Sequence, residues 1–372
     1  MDGDRLLRLV LTGDVMTGRG IDQVFARPSS PELREGYVQS AFGYVRLAEA
    51  RNGPVPRPVA PDYIWGDALA EFDPKLADLR IVNLETSITT SNAFEDKGIN
   101  YRMHPANVPC LSAASIDCCG LANNHVLDFG RPGLLETLDS IDAARIGHAG
   151  AGADRSMAQT AAVLDVPGKA RVLVFGFGLG SSGIPPHWRA TSTRPGVNLL
   201  PDLSDKTVDD VSATIARQRR KEDFVIASIH WGGNWGYEIS DEEIAFARAI
   251  IDRAGVDLVY GHSSHHPKGG EVYNGKLILY GCGDFLNDYE GISGRDEFRP
   301  DLVLLYRVTV TPQDKLLASV DMLPFEINKF RLCHAAAQDA AWLAEVLDRE
   351  YRRFGAGIGL REDNSLYLDL SD

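Results

Sequence analysis

Val256-Asp257-Leu258-Val259-Tyr260-Gly261-His262-Ser263-Ser264-His265-His266-Pro267 is the stretch from which the fold can be read. Its first five residues are a short, largely apolar run that predicts a buried strand, Val256 to Tyr260. The remainder predicts a loop at the strand's carboxyl end, with three imidazoles inside five positions. Neutral imidazole is the commonest protein ligand for divalent metals. Open α/β sheets place their sites outside the carboxyl ends of strands. One histidine on a loop would carry little weight. Three of them, with acids and amides at other strand ends, point to a metal centre.

The same pattern recurs outward along the chain. Leu6 to Leu11 predicts a mostly buried strand, with Asp14 just past its end. Trp65 to Leu79 has helical spacing with a break at Pro74. Arg80 to Leu84 is a second strand, followed by Glu85, and Ile116 to Leu121 a third, followed by Asn123-Asn124-His125. Helical periodicity covers Pro105–Ala114, Pro132–Arg145 and Val208–Lys221. Thr160 to Gly178 is β, turning at Val166-Pro167-Gly168-Lys169, and Phe224 to Ile229 is a strand ending at His230. Ser240, with Glu243 three residues on, forms a capping box before an amphipathic helix, Asp241–Ala254. Asn274-Gly275 marks a hairpin within Glu271–Tyr280. Leu302–Val310 and Leu316–Met322 read as antiparallel strands, Ala335–Phe354 as a last helix, and the tail as polar. Strands and helices alternate early and strands pair locally later, which predicts an α/β layered domain with two sheets.

The 372 residues are 44% hydrophobic, enough for a large core, and carry a formal net charge of −14. A field of that sign disfavours nucleic acid and anionic membrane as partners. It leaves an anionic small-molecule or peptide substrate open, because a bound cation inverts the local potential. Five cysteines match no disulfide framework or paired zinc spacing, so they read as reduced thiols of a cytoplasmic protein. Cys118 and Cys119 are adjacent and should face opposite sides of their strand. No stretch has the roughly 20 apolar residues that span a bilayer. The expectation is a soluble, unanchored chain with residues 1–330 as the catalytic domain and 331–372 as a C-terminal helix and tail packed on it.

Five strand ends therefore carry metal-capable groups: Asp14, Glu85, Asn124 with His125, His230, and His262 with His265. Carboxylate, amide oxygen and imidazole together suit one or two divalent ions such as manganese, zinc, iron or calcium. The absence of thiolates from these positions argues against a structural zinc knot. Glu85 is placed to bridge two ions, as two-metal centres require at about 3.5–4 Å. Trp231, Trp235 and Tyr237 read either as a substrate-pocket wall or as core. Asp284 and Asp288 read either as supports for ligands or as strand terminators.

Taken in order, Gly13-Asp14-Val15-Met16, Asn83-Leu84-Glu85, Ala122-Asn123-Asn124-His125 with Asp128-Phe129-Gly130, His230-Trp231-Gly232, Gly261-His262-Ser263-Ser264-His265 and Tyr280-Gly281-Cys282-Gly283-Asp284-Phe285 resemble the bacterial CapA capsule-synthesis family. That family is similar to the calcineurin-like metallophosphoesterases. The resemblance implies a four-layer α/β/β/α sandwich, metallophosphatase-like, with the site at the sheet edges. It implies Asp14 and Glu85 as acidic ligands, with Glu85 bridging. Asn124, His230 and His262 would complete one metal site, and His265 would join Asp14 at the other. His125 would be the proton donor, Arg102 an anion clamp, and Trp231 part of the substrate pocket. One departure stands out: metallophosphoesterases carry a histidine two residues after the first aspartate, and here that residue is Met16, a poor partner for a hard cation.

Three functions follow as expectations. One is metal-assisted hydrolysis of a phosphoester or glutamyl amide. Another is peptide epimerisation through Cα deprotonation and reprotonation, with Asp14 and His265 as the acid/base pair. The third is non-catalytic binding of an anionic polymer for capsule assembly.

Overall fold

The strand before the histidines runs Leu258–His262, at the centre of a six-stranded sheet. Its neighbours in spatial order are Gly270–Tyr273, Lys276–Leu279, Leu258–His262, Phe224–His230, Ala170–Gly178 and Ala162–Val166. This computed structural model describes residues 6–370. A second, ten-stranded sheet is built around Leu7–Val15. On one side of that strand lie Leu79–Leu84, Cys118–Gly120 and Gly147–Ala149. On the other lie Leu302–Thr311, Leu316–Asn328, Leu366–Asp369 and Gly357–Leu360. Asp284–Leu286 pairs in parallel with the end of the first strand, and Arg331–His334 pairs with Leu316–Asn328.

Side-chain alternation along each strand fixes the layers. Leu7, Leu9 and Leu11 join Val172, Val174, Phe224, Ile226 and Tyr260 in a core between the two sheets. Val10 and Val15 point the other way, toward Trp65, Leu134, Leu138 and Ile141 from the outer helical layer. On the second sheet Leu173, Phe175 and Val225 face Val208, Val211, Ile215 and Phe246 of the helices Asp205–Ala216 and Asp241–Ala249. The result is helix, sheet, sheet, helix, the four-layer architecture expected from the resemblance. Cys118 lies between the sheets and Cys119 under the outer helices, on opposite faces as adjacency requires.

The parallel strands bring their carboxyl ends to one rim. Asp14 is level with Asn83 on one sheet, and His230 is level with both His262 and Gly178 on the other. Gly13 makes this possible. A Cβ there would sit 1.6 Å from the Gly283 carbonyl oxygen, so only glycine lets the first strand approach the 282–284 segment closely enough for Asp14 to pair with Asp284.

Several expectations about boundaries change. The first strand continues to Val15, so Asp14 lies within it rather than past it. The helix expected over Trp65–Leu79 is a 3-10 segment, Tyr63–Phe72, broken at Gly66 where the backbone runs against Leu332. The helix expected over Val208–Lys221 begins earlier and ends at Ala216. Ser204 caps it by accepting the Thr207 N–H. The Ser240–Glu243 capping box is present. The tail is more than polar: Leu366 and Leu368 join the core between the sheets, and their strand pairs with Leu316–Asn328. No helix among the described residues is long and apolar enough to cross a membrane.

Candidate metal centre

At this rim Asp14 is fully buried and held from two sides. Asn83 Nδ2 donates to its Oδ1 at 2.6 Å, and the Ser263 backbone N–H donates to its Oδ2 at 3.1 Å. Ser263 has φ 106°, a conformation costing roughly 1–3 kcal/mol for a non-glycine residue. The His262–His265 loop is therefore bent to aim an N–H at the carboxylate. Glu85, next after the second strand, has Oε1 3.7 Å from His125 Nε2 and 3.9 Å from His230 Nε2. Its Oε2 is buried with no hydrogen-bond partner.

The imidazoles form a chain. His230 Nε2 lies 2.9 Å from Asn124 Oδ1, His230 Nδ1 lies 2.8 Å from His262 Nδ1, and His262 Nε2 lies 2.8 Å from Ser228 Oγ. Asn124 Oδ1 only accepts, which places the His230 proton on Nε2. His230 Nδ1 then accepts from His262, whose Nε2 accepts from the serine. Asp14, His230 and His262 offer ligand atoms within 4.8 Å of one another, and so do Asp14, His265 and Asp284. Ligands on opposite sides of an ion at about 2.1 Å are about 4.2 Å apart, so both groups are near coordination size. Asp14 belongs to both.

The electrostatics also fit a cation. Burial raises the Asp14 pKa, and the Asp284 charge raises it further. Burial, then Asp14, hold Glu85 well above the carboxylate range. Burial lowers His230 far below the usual imidazole value, helped by His262, and takes His262 to about 3. Neutral imidazoles beside carboxylates that ionise only at a cost are the donor set that a divalent ion satisfies. The orphaned Glu85 oxygen points to the same fit.

Two further histidines are each paired with an aspartate. His125 Nδ1 is 2.6 Å from Asp128 Oδ2, and His265 Nδ1 is 2.9 Å from Asp284 Oδ1. Burial takes His125 down to about 4 despite Asp128. Burial also opposes charge on His265, but the Asp284 carboxylate outweighs it and the pKa rises. Lys97 braces the first pair, contacting the Asn124 carbonyl and donating to Asp128 Oδ1 at 2.8 Å. His265 reaches a 220 Å³ pocket lined also by Arg19, Tyr101, Asn234, Trp235, Tyr289 and Arg295. Met16 lies beside this wall, with Tyr289 Oη 3.8 Å from its sulfur.

The structure thus brings Asp14, Glu85, Asn124, His125, His230, His262 and His265 into one cluster. It does not bring Arg102 or Trp231 there. The Arg102 guanidinium donates to the Ser91 and Ser30 carbonyls and to Asn92 Oδ1, and stacks over Phe129 at 4.6 Å. Its two terminal nitrogens tie loops together, and its buried Nε has no hydrogen-bond partner among the described residues. Trp231 is 3% exposed, donates its indole N–H to the Tyr280 carbonyl and packs on Phe246 and Tyr280 in the outer core. Asp284, one of the two acids left open by sequence, joins a ligand group. Asp288 instead holds the buried Arg19 in two-point fashion, accepting from Nε and Nη2 along one guanidinium edge. Lys97 and Arg19 had no signal in their local sequence, whereas Asn83 stood in the quoted motif Asn83-Leu84-Glu85 without a role being assigned to it. Asp128 had a signal, standing three residues after His125 in the quoted motif.

The family model described as "Bacterial capsule synthesis protein PGA_cap" matches residues 8–289. Two relatives from strains of Mycobacterium tuberculosis, each described as a "Probable polyglutamine synthesis accessory protein", are 46% identical over 363 residues, covering 97% of this chain and 95% of theirs. The "PGA biosynthesis protein CapA" of Bacillus subtilis is 27% identical over 296 residues, 79% of this chain and 66% of that one. Among solved structures, one described as a novel phosphatase from Mycoplasma pneumoniae aligns at TM-score 0.44 and 16% identity, over 86% of this chain and 93% of that chain.

Proposed function

Because the chain belongs to the bacterial capsule synthesis family represented by PGA_cap and CapA, we propose that it is a metal-assisted hydrolase of an anionic substrate of the glutamyl-peptide class. The observation that carries the proposal is the sharing of Asp14 between two near-coordination-size groups, with Glu85 presenting an unpartnered oxygen beside them. Asn124, His230, His262 and Asp14 would hold one ion, and Asp14, His265 and Asp284 the other. A divalent ion there supplies Lewis acidity toward a substrate carbonyl or phosphoryl oxygen and acidifies water. The chain's own contribution is orientation and proton handling. Asp128 fixes the His125 ring through Nδ1, leaving Nε2 to exchange a proton with the reacting group. Tyr101, Trp235 and Tyr289 wall the pocket, and Arg295 stands at the rim for a substrate carboxylate.

The test is purified protein loaded with manganese or zinc and incubated with poly-γ-glutamate and, separately, a generic phosphomonoester. New amine ends or shortened chains, lost in Asp14→Asn, support the reading; phosphate release alone moves it to phosphoester substrates. Polymer binding with no bond cleaved under any metal overturns it in favour of an assembly role.

The two His–Asp pairs favour a second reading, epimerisation, which needs acid/base groups on both faces of a Cα. Deuterium entering a peptide α-carbon in heavy water, without hydrolysis, selects it.

A further inference from the structure

Away from the metal centre, the structure holds a 590 Å³ cleft between the helix Asp205–Ala216 and the segment 189–201. Its charge does not follow that of the chain. The protein has 52 acidic and 38 basic residues, yet this cleft is lined by Arg155, Arg189, Lys206 and Arg217 against a single acid, Asp210. That acid is already used by Lys206, at 2.7 Å. Among the described residues the Arg217 side chain donates only to the Thr214 hydroxyl, at 3.1 Å. Neither Arg155 nor Arg189 makes a side-chain ion pair or hydrogen bond among the described residues. Three exposed guanidinium groups without a carboxylate partner among the described residues therefore line one cavity in an acidic protein, a local surplus of positive charge that favours an anion.

We propose that this cleft is a second binding site, for a stretch of an acidic polycarboxylate chain. Guanidinium forks grip carboxylates in two-point fashion, and several spaced forks suit a chain of carboxylates better than one small anion. Nucleic acid fits less well. The cleft's one aromatic lining residue, Phe177, is 2% exposed and offers no face for base stacking. The cleft is also joined to the metal centre by one segment. Leu179 donates to the His230 carbonyl, Ser181 Oγ accepts the Gly232 N–H, and a Cβ on Gly183 would lie 3.7 Å from Asn124 Nδ2. Ten to twenty residues later the same segment, through Arg189 and residues 197–201, walls the cleft. A polymer seated there lies against the loop that begins at the catalytic rim. The choice of a glutamyl chain as that polymer rests on the function proposed above.

The experiment measures binding of fluorescent poly-γ-glutamate to the full chain at two salt concentrations. The proteins are wild type, Asp14→Asn, an Arg189→Gln/Arg217→Gln double variant and an Arg189→Lys/Arg217→Lys double variant. Both arginines are exposed, so thermal melting should be unchanged. Wild type and Asp14→Asn are expected to bind alike, with or without EDTA. The glutamine variant should bind about tenfold or more weakly, with a shallower salt dependence, and the lysine variant should recover part of the loss. Release of a small-substrate product by the metal-loaded enzyme should be unaffected in the double variants. Unchanged polymer binding in the glutamine variant overturns the proposal. So does loss of binding in Asp14→Asn alone, which puts all affinity at the catalytic pocket and leaves the hydrolase reading intact. Equal affinity for single-stranded DNA of matched charge also overturns it. Arginine-dependent binding with no hydrolysis of any substrate sustains this inference while removing the hydrolase.

Discussion

Above about pH 6.5, where the buried histidines are neutral folded or unfolded, removing divalent metal should make stability fall as pH rises, and restoring metal should cancel the fall. Asp14 and Glu85 both have folded-state pKa values raised, first by burial, then by neighbouring carboxylate charge. Unfolded, they titrate near 3.9 and 4.3, about the model-peptide values. Between those values and the raised folded ones, the native state binds more protons than the unfolded chain. The slope of unfolding free energy with pH is therefore negative in that window. The contribution of these two carboxylates is full below about pH 4 and is lost as pH climbs through the folded values, while His125, His230 and His262, whose folded values are lowered by burial, contribute in the opposite sense until they are neutral in both states above about pH 6.5. A cation replaces the missing protons. At a hundred times its Kd, one ion contributes about 2.7 kcal/mol. The unfolding entropy, about 2.1 cal/mol/K per residue over 372 residues, is about 0.8 kcal/mol/K. One ion should thus raise Tm by about 3–4 °C, and two by about twice that. Differential scanning fluorimetry across pH 4.5–8.5, with EDTA or with manganese or zinc, reads this directly. The gap between the curves should be near zero at the acid end and widest at the alkaline end. Asp14→Asn should flatten the EDTA curve and abolish the metal shift. A wild-type EDTA curve that is flat above about pH 6.5, or a metal shift surviving in Asp14→Asn, would refute the assignment of these carboxylates.

Four substitutions separate catalytic from structural roles. Asp128→Asn should lower kcat by about 10²-fold or more with metal content unchanged, by elemental analysis, because the His125 ring loses its partner. Arg102→Ala should leave KM unchanged but cost about 2–3 kcal/mol, about 3 °C in Tm, since two carbonyls and an amide oxygen lose their donors. Trp231→Phe should likewise leave KM alone and cost about 1–2 kcal/mol in denaturant titration, from the lost indole hydrogen bond and packing. Gly13→Ala should fail to give soluble folded protein, judged by expression and circular dichroism, because its Cβ overlaps the Gly283 carbonyl.

The sequence was legible where chemistry repeats at strand ends. Asp14, Glu85, Asn124, His230 and His262 follow or end apolar runs, and parallel strands carry such positions to a common rim. What stayed hidden was reach across the chain. Asp284 meets His265 from 19 residues away, Lys97 braces His125 from 28 away, and Arg19 meets Asp288 from 269 away. No local spacing encodes those pairings. Trp231 is a different case, because its place was available from alternation. His230 ends its strand pointing toward the rim cluster, so the next residue along the chain continues the alternation toward the helical face, where Trp231 is found.

The arginines show why residue type alone misleads about anion binding. Arg102 and Arg19 are both buried, yet their terminal nitrogens are already engaged: those of Arg102 by carbonyls and an amide, those of Arg19 by Asp288, Glu35 and the Tyr44 hydroxyl. With two carboxylates on one guanidinium, Arg19 contributes no net positive charge to the pocket. It serves as a rigid floor between the Tyr44 and Tyr101 rings, 3.8 and 4.2 Å from the guanidinium carbon. Arg295 is exposed, lines the same pocket and among the described residues has its side chain engaged only with the Trp235 face, at 5.3 Å. A substrate carboxylate gains a full countercharge there without displacing an existing salt bridge. Arg295→Ala should therefore raise KM for an anionic substrate and spare Tm, the reverse of the pattern expected for Arg102→Ala. Parallel steady-state kinetics and melting of the two variants decide whether pairing state, rather than proximity, selects the anion-binding arginine.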